Sequence, residues 1–298
     1  MPGAVRIYDT TLSQRFAWTG PAVSVDQATA IARVLEQAGV STIEAGHPAQ
    51  SPAQRALVTA VAKSISASQV AALAACDPAE IAAALDAVRH AAKPLVHVYL
   101  PSDPARSGGK RVEWCRAIEK AVTAVRAEGI EAQFSIDGME AMERPFRRQC
   151  IGVAINAGAI RIAVPDGTGT AKTAAYTEMV RDIVQFVESR AIISACCHNS
   201  SGQAVHHALA AVEAGARQVE TTAIGSATGC TPLKDFVEQA RGRFDVVSVD
   251  LRAAASISAL IPANSAPAPA QSGAAEREIE TPATPVPDWY CRVEVAAL

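Results

Sequence analysis

Short apolar segments alternate with longer amphipathic ones over most of this chain, and that alternation constrains the fold more than any single motif. Strand-like runs occupy Val5–Leu12, Ser41–Gly46, Val70–Cys76, Leu95–Leu100, Glu131–Ile136, Ala159–Val164, Ile192–Cys197 and Gln218–Thr222, about thirty residues apart. A repeat of that length is a βα unit, in which the intervening helix returns the chain so that successive strands lie parallel. Helix signals fill the gaps. Ser24-Val25-Asp26-Gln27 leads into Ala28–Ala38 and Gly39; Asp77-Pro78-Ala79-Glu80 opens Ile81–Ala91; Arg111–Glu128 stops at Gly129, and Gln203–Ala214 stops at Gly215. Eight strands each followed by a helix predict an α/β (β/α)8 barrel rather than an open doubly wound sheet, and barrels of this kind run to roughly 250 residues as one unit.

The barrel is expected over residues 1–255. From Pro262 to Pro287 the chain carries six of its 17 prolines, spaced by Ala and Ser, so 256–287 reads as a Pro/Ala-rich linker. Residues 288–298 alternate like a short strand. The aromatic share is 4%, which leaves the core to Ala, Val, Ile and Leu and suits helix–sheet packing. With 27 basic against 30 acidic side chains, the charge balance offers no nucleic-acid footprint. No stretch of about 18 uncharged apolar residues predicts a membrane span. Met1–Arg6 leads straight into a strand without a signal-peptide layout, so a cytoplasmic location is expected.

Seven cysteines in such a chain argue against a disulfide framework. Cys76, Cys115, Cys150 and Cys291 read as buried fillers. Chemistry in a (β/α)8 barrel sits at the C-terminal ends of the strands. Those ends carry Asp9-Thr10-Thr11, Glu44 with His47, His97, Asp137, Asp166 with Thr168, and Cys196-Cys197-His198. Cys230 lies just beyond strand eight. Alternation puts Ser194, Cys196 and His198 on one face of strand seven and Cys197 on the other. Cys196 and His198 with Cys230 make a soft Cys2His donor set of the kind that holds catalytic zinc; the structural alternative is a small core filler beside a hydrogen-bonded histidine.

Several motifs occur in one order: Asp9-Thr10-Thr11-Leu12, Ile43-Glu44-Ala45-Gly46-His47-Pro48-Ala49, Phe134-Ser135-Ile136-Asp137, Pro165-Asp166-Gly167-Thr168-Gly169, Cys197-His198-Asn199 and Ala210–Ala216. Together they resemble the homocitrate synthase and isopropylmalate synthase family, within the metallolyase barrels that include hydroxymethylglutaryl-CoA lyase. Val219-Glu220-Thr221-Thr222 is most similar to the homocitrate synthase branch associated with nitrogen fixation. The resemblance implies a divalent metal at the barrel mouth, a 2-oxo acid bound to it, acetyl-CoA as co-substrate, and a homodimer.

It also exposes departures. The family's Arg and metal-binding Asp in the first loop stand as Ser13 and Gln14, one His of its His-x-His pair as Cys196, and its Asn as Cys230. A substrate-binding Thr becomes Gly167, and the catalytic His falls on Ala275. The altered set, Gln14, Cys196, His198 and Cys230, favours Zn2+ over harder ions. Asp137, His97, Glu44 and Arg15 are the expected catalytic residues, with Arg15 standing in for the missing enolate-stabilising arginine. His47, Asp166 and Thr168 are the expected substrate-binding residues.

The expected activity is an acyltransferase or lyase that makes or breaks a carbon–carbon bond on a small 2-oxo acid or acyl substrate. Two alternatives stand beside it. One is a catalytically silent member acting as a binding or regulatory protein. The other is a hydrolase or transferase using Cys196 as nucleophile.

Overall fold

The computed structural model describes residues 3–13, 23–101, 111–167, 169, 171–224 and 230–261. Eight parallel strands close on themselves: β1 (Arg6–Asp9), β2 (Thr42–Gly46), β3 (Gln69–Ala75), β4 (Pro94–Leu100), β5 (Glu131–Ile136), β6 (Arg161–Pro165), β7 (Ile192–Cys196) and β8 (Gln218–Thr222). The barrel shuts where β1 pairs with β8, from Arg6 opposite Gln218 to Asp9 opposite Thr221. A two-residue β9 (Thr231–Pro232) extends the pairing from β8. Around the strands run α1 (Val25–Gln37), α2 (Pro52–Ser64), α3 (Pro78–Val88), α4 (Arg111–Ala127), α5 (Arg144–Asn156), α6 (Thr173–Val187), α7 (Ala204–Glu213), α8 (Leu233–Ala240) and a short α9 (Leu251–Ala255). The (β/α)8 expectation is met.

Helix starts follow the sequence signals. The Ser24 hydroxyl accepts from Gln27 N while the Gln27 side chain accepts from Ser24 N, a closed capping box. Asp77 accepts from Ala79 N and Glu80 N with Pro78 in the first turn; such a cap is worth about 1 kcal/mol.

Most strand ends shift by a residue or two from expectation, and three of the shifts have a clear local reason. The run Val5–Leu12 yields only Arg6–Asp9, because Asp9 Oδ1 accepts from Thr11 N at 2.9 Å and turns the chain. β6 starts at Arg161 rather than Ala159, since Ala159 N closes the end of α5 on Ala154 O. β7 stops at Cys196 because the next inward residue, His198, gives its N–H to the Asp166 carboxylate.

Strand alternation separates two cores. Outward residues such as Ile7, Ile43, Val96, Phe134, Ile162 and Val219 join the helices in one large apolar layer. Inside the barrel the apolar cluster is only Tyr8, Ala71 and Leu95. At the other end of the chain, Ser256–Leu260, placed by composition at the start of the linker, form a 3-10 turn. Ile257 is buried there, and Gln27 Nε2 donates to Leu260 O. The rest of the Pro/Ala-rich linker and the strand-like 288–298 segment lie outside the described residues.

α1 ends on Gly39, whose φ of +89° belongs to glycine and whose absent Cβ would lie 2.5 Å from Ser248 O. Gly39→Ala is therefore expected to destabilise the fold by about 2 kcal/mol or more in urea unfolding.

Candidate active site at the strand ends

The barrel interior is polar. Tyr8 OH donates to Glu44 Oε2 at 2.6 Å, and His97 Nδ1 lies 3.1 Å from the same oxygen. His97 Nε2 lies 2.9 Å from Ser135 Oγ. Gln133 Nε2 is 3.0 Å from His97 Nδ1 and donates to Glu220 Oε1 at 2.9 Å, while Gln218 Nε2 donates to Gln133 Oε1 and Ser194 Oγ. Register explains the assembly: Tyr8 lies beside Glu220, His97 beside Gln133 and Ser194 beside Gln218, so inward residues of adjacent strands meet in layers. Glu44 and His97, both expected site residues, are thus brought together in the middle of their strands, inside the barrel. Tyr8, Gln133, Gln218 and Glu220 are members the sequence reading missed.

A second constellation sits at the mouth. Asp166, just past β6, accepts from His198 N and His198 Nδ1, both at 2.8 Å, and from His207 Nδ1 of α7 at 2.9 Å. Burial pushes the Asp166 carboxyl upward, but the hydrogen bonds from His198 and His207 outweigh it and hold it below the usual carboxylate range. Asp166 and His207 are sealed, whereas the His198 side chain keeps 19% exposure. Tyr176 lies against His207, ring centroids 5.6 Å apart, and gives its hydroxyl to Val164 O. His207 has no motif that marks it; its position on the inner face of α7 is the only sequence signal.

The cysteines divide as alternation predicts. Cys196 is buried on the inward side, and Cys197 faces outward, 3.5 Å from Tyr176 OH. Burial near Asp166 pushes the Cys197 thiol well above its ordinary range. His198 forms an isolated antiparallel bridge with Cys230, and Thr10 Oγ1 reaches Cys230 Sγ at 3.5 Å. Among the described residues, however, no three His, Cys, Asp or Glu side chains are grouped as a metal ion requires. Cys196, His198 and Cys230 form no such group among the described residues. Gln14, the fourth expected donor, lies outside the described residues, as do Arg15 and Thr168.

Other expected residues lie elsewhere. His47 pairs with Glu80 of α3 at 2.6 Å and meets Tyr99 edge-on; Glu80 also accepts from Ala75 N. Asp137 takes the turn after β5, its N–H on Leu100 O, and its charge adds to burial, the main cause, in raising the Cys76 thiol. Asp9 is a titratable group the sequence reading quoted without a role. Burial first, then the charge of Glu44, pushes its carboxyl up to about 7 against hydrogen bonds from Thr11 and Ala223.

A closed parallel barrel with a carboxylate–imidazole constellation at its strand ends makes the chain a (β/α)8 barrel with a candidate site at its mouth. The HMGL-like family matches residues 4–261, and the chain belongs to it. It is 35% identical over 239 residues to a 2-isopropylmalate synthase of Staphylococcus epidermidis, covering 78% of this chain and 47% of that protein. The chain thus spans about half the length of the curated relatives it matches. Among solved structures, hydroxymethylglutaryl-CoA lyase from Pseudomonas aeruginosa superposes with a TM-score of 0.70 at 19% identity, covering 87% of this chain and 92% of that one. An HMG-CoA lyase from Acinetobacter baumannii, in complex with coenzyme A and 3-methylmalate, superposes at 0.69 and 16% identity, covering 88% and 91%. Both likenesses concern the fold.

Asp9 gives a pH test with a definite sign. Between its ordinary value of 3.8 and about 7, folded Asp9 keeps a proton that the unfolded chain has lost. Its contribution to stability therefore falls as pH rises through that window and is flat above it. Asn at this position still offers Oδ1 to Thr11 N. Asp9→Asn is expected to leave Tm nearly unchanged at pH 4 and to raise it progressively up to pH 8, as thermal unfolding across pH would show.

Proposed function

We propose that this barrel makes or breaks a carbon–carbon bond adjacent to a carbonyl, on a small 2-oxo acid and an acyl thioester such as acetyl-CoA. Relatedness to 2-isopropylmalate synthases supports the reaction class. The observation that carries the reading is the His198–Asp166 pair: a partly exposed imidazole whose Nδ1–H is fixed on a buried, ionised carboxylate.

In the condensing direction, His198 takes a proton from the carbon next to the thioester carbonyl. The released electron pair forms a bond to the keto carbon of the 2-oxo acid, and the keto oxygen becomes an alkoxide that takes up a proton. Hydrolysis of the thioester then releases the acid. The cleaving direction starts from the intact thioester adduct and runs only the bond-forming and proton-transfer steps backward, with no hydrolysis. Asp166 keeps His198 in one tautomer and stabilises its cationic form, as a carboxylate behind a basic imidazole does. His207 holds the second oxygen of Asp166 and so fixes the carboxylate from the helix side. Glu44, His97 and Tyr8, hydrogen-bonded beneath the mouth, form a floor that excludes bulk water. No step here is routed through a metal, and Cys196, buried next to the strand end, is given no nucleophilic part.

Proton abstraction can be watched without knowing the full substrate pair. Acetyl-CoA incubated with the protein in D2O, with and without pyruvate as a 2-oxo acid, is expected to gain deuterium in its methyl group. His198→Gln is expected to slow that exchange by about 100-fold or more, the usual scale for a general base, with an unchanged circular dichroism spectrum. Exchange no faster than in buffer under both conditions would remove the proposal.

A further inference from the structure

The mechanism leaves one buried carboxylate–imidazole pair without a task. His47 follows directly on Gly46, the last residue of β2, and its Nε2 lies 2.6 Å from Glu80 Oε2. Glu80 belongs to the first turn of α3, and the same oxygen accepts from Ala75 N, at the end of β3, at 2.8 Å. The His47 ring meets Tyr99 edge-on, with centroids 6.0 Å apart. Tyr99 lies two residues beyond His97 on β4 and so shares its inward face. His47 thus bridges the end of β3. It is held to the helix layer on one side and lies against an inward-facing, half-buried ring on the other.

The contact with Glu80 also selects a tautomer. An oxygen that already accepts a backbone N–H is an acceptor, so Nε2 carries the proton between them and Nδ1 is the nitrogen left to exchange one. Among the described residues Nδ1 makes no hydrogen bond, and it is not one of the sealed polar atoms. His198 shows the reverse arrangement, with Nδ1 fixed on Asp166. The two pairs stand at the same end of the barrel, His47 and Glu80 at β2 and β3, Asp166 and His198 at β6 and β7. In a closed eight-stranded sheet these are opposite sides of the mouth. Forming a bond to a keto carbon needs a proton removed from one reactant and a proton delivered to the oxygen of the other. His198 serves the first transfer, and the second has had no donor.

We propose that His47, backed by Glu80, is the proton donor to the keto oxygen. The inference rests on the reaction proposed above and supplies its second acid–base group. Doubly protonated His47 gives its Nδ1 proton to the alkoxide as the carbon–carbon bond forms, and the product carries a hydroxyl. The N–H electron pair stays on Nδ1, Nε2–H stays on Glu80, and the neutral ring regains a proton from solvent. In the cleaving direction neutral His47 takes the hydroxyl proton, the carbonyl re-forms, and the electron pair of the broken bond leaves on the carbon next to the thioester. Glu80 supports the cationic ring as Asp166 supports that of His198.

Two readouts on the full chain test it. Methyl exchange of acetyl-CoA in D2O follows the first proton transfer alone. Coenzyme A release that depends on added pyruvate, 2-oxobutyrate or 2-oxoisovalerate requires both. His47→Gln is expected to slow release by about 100-fold and exchange by no more than about threefold. Glu80→Gln keeps an acceptor beside Nε2 but removes the charge, and is expected to slow release severalfold with exchange again nearly intact. Unchanged release in His47→Gln overturns the proposal. So does an equal loss of exchange and release in variants that keep the wild-type circular dichroism spectrum, the result a purely structural clamp would give. A wild type that exchanges its methyl protons but releases nothing with any of the three 2-oxo acids removes the donor and leaves the exchange standing. Neither exchange nor release removes both.

Discussion

Two carboxylates, Glu44 and Glu220, are enclosed by the barrel, and most of the interior is arranged to keep them hydrogen-bonded. A buried ionisable group without partners costs several kcal/mol, so Tyr8, His97, Gln133, Ser194 and Gln218 are tied by register rather than by convenience. The interior therefore contributes little hydrophobic stabilisation, and its apolar cluster is three residues. That task passes to the outer layer, where strand residues meet the helices in one continuous core. Stability and chemistry are thus divided between the two faces of the same strands. His97 illustrates the cost of the polar face: its Nδ1 cannot donate to Glu44 and accept from Gln133 at once, so the tautomer decides which of the two bonds is made.

The mouth is fixed from both faces as well. Asp166 leaves β6 and is met from the barrel side by His198 and from the helix side by His207. One step further along β7, Cys197 packs outward on Tyr176, whose hydroxyl in turn closes the last carbonyl but one of β6. The ring stacked beside His207 thus also braces the strand that presents Asp166. A substitution in the helix layer here would be felt at His198 without touching it.

The fold was legible because parallel strands covered on both sides leave a strong mark: eight apolar runs separated by capped amphipathic helices. What escaped were the strand ends, where a single side chain decides the outcome. Asp9 folds back on Thr11 N, and Asp166 captures the N–H of His198; neither event is visible in hydropathy. The site was legible in part. Asp166 and His198 meet at the barrel mouth, Glu44 and His97 meet mid-strand inside the barrel, and alternation separated Cys196 from Cys197. His47 stands at a strand end too, but Glu80 claims it. Glu220 and Gln133 meet although they are 87 positions apart, His207 reaches Asp166 from 41 away, and Arg147 comes beside Asp182 across two helices. Such encounters follow from register and helix packing, which a motif read along the chain does not encode.

Asp9 and Asp166 show how partners decide whether burial wins in setting a charge. Both leave the C-terminal end of a strand, and both are at most 1% exposed. Asp9 is fully buried and lies near Glu44, and the neutral donors of Thr11 and Ala223 offset only part of that, so its proton stays until about pH 7. Asp166 is met by two imidazoles and a backbone N–H, so it is ionised well below that. Had Asp9 ionised as readily, it would have placed a second negative charge beside Glu44 in a space with few cations to absorb it. Had Asp166 kept its proton, His198 would have lost the anion that orients its ring and supports its cationic form. Pairs of like residues driven to opposite protonation states are how a single scaffold separates a proton holder from a charge stabiliser. Here the separation follows from which neighbours the barrel register and α7 deliver to each carboxyl.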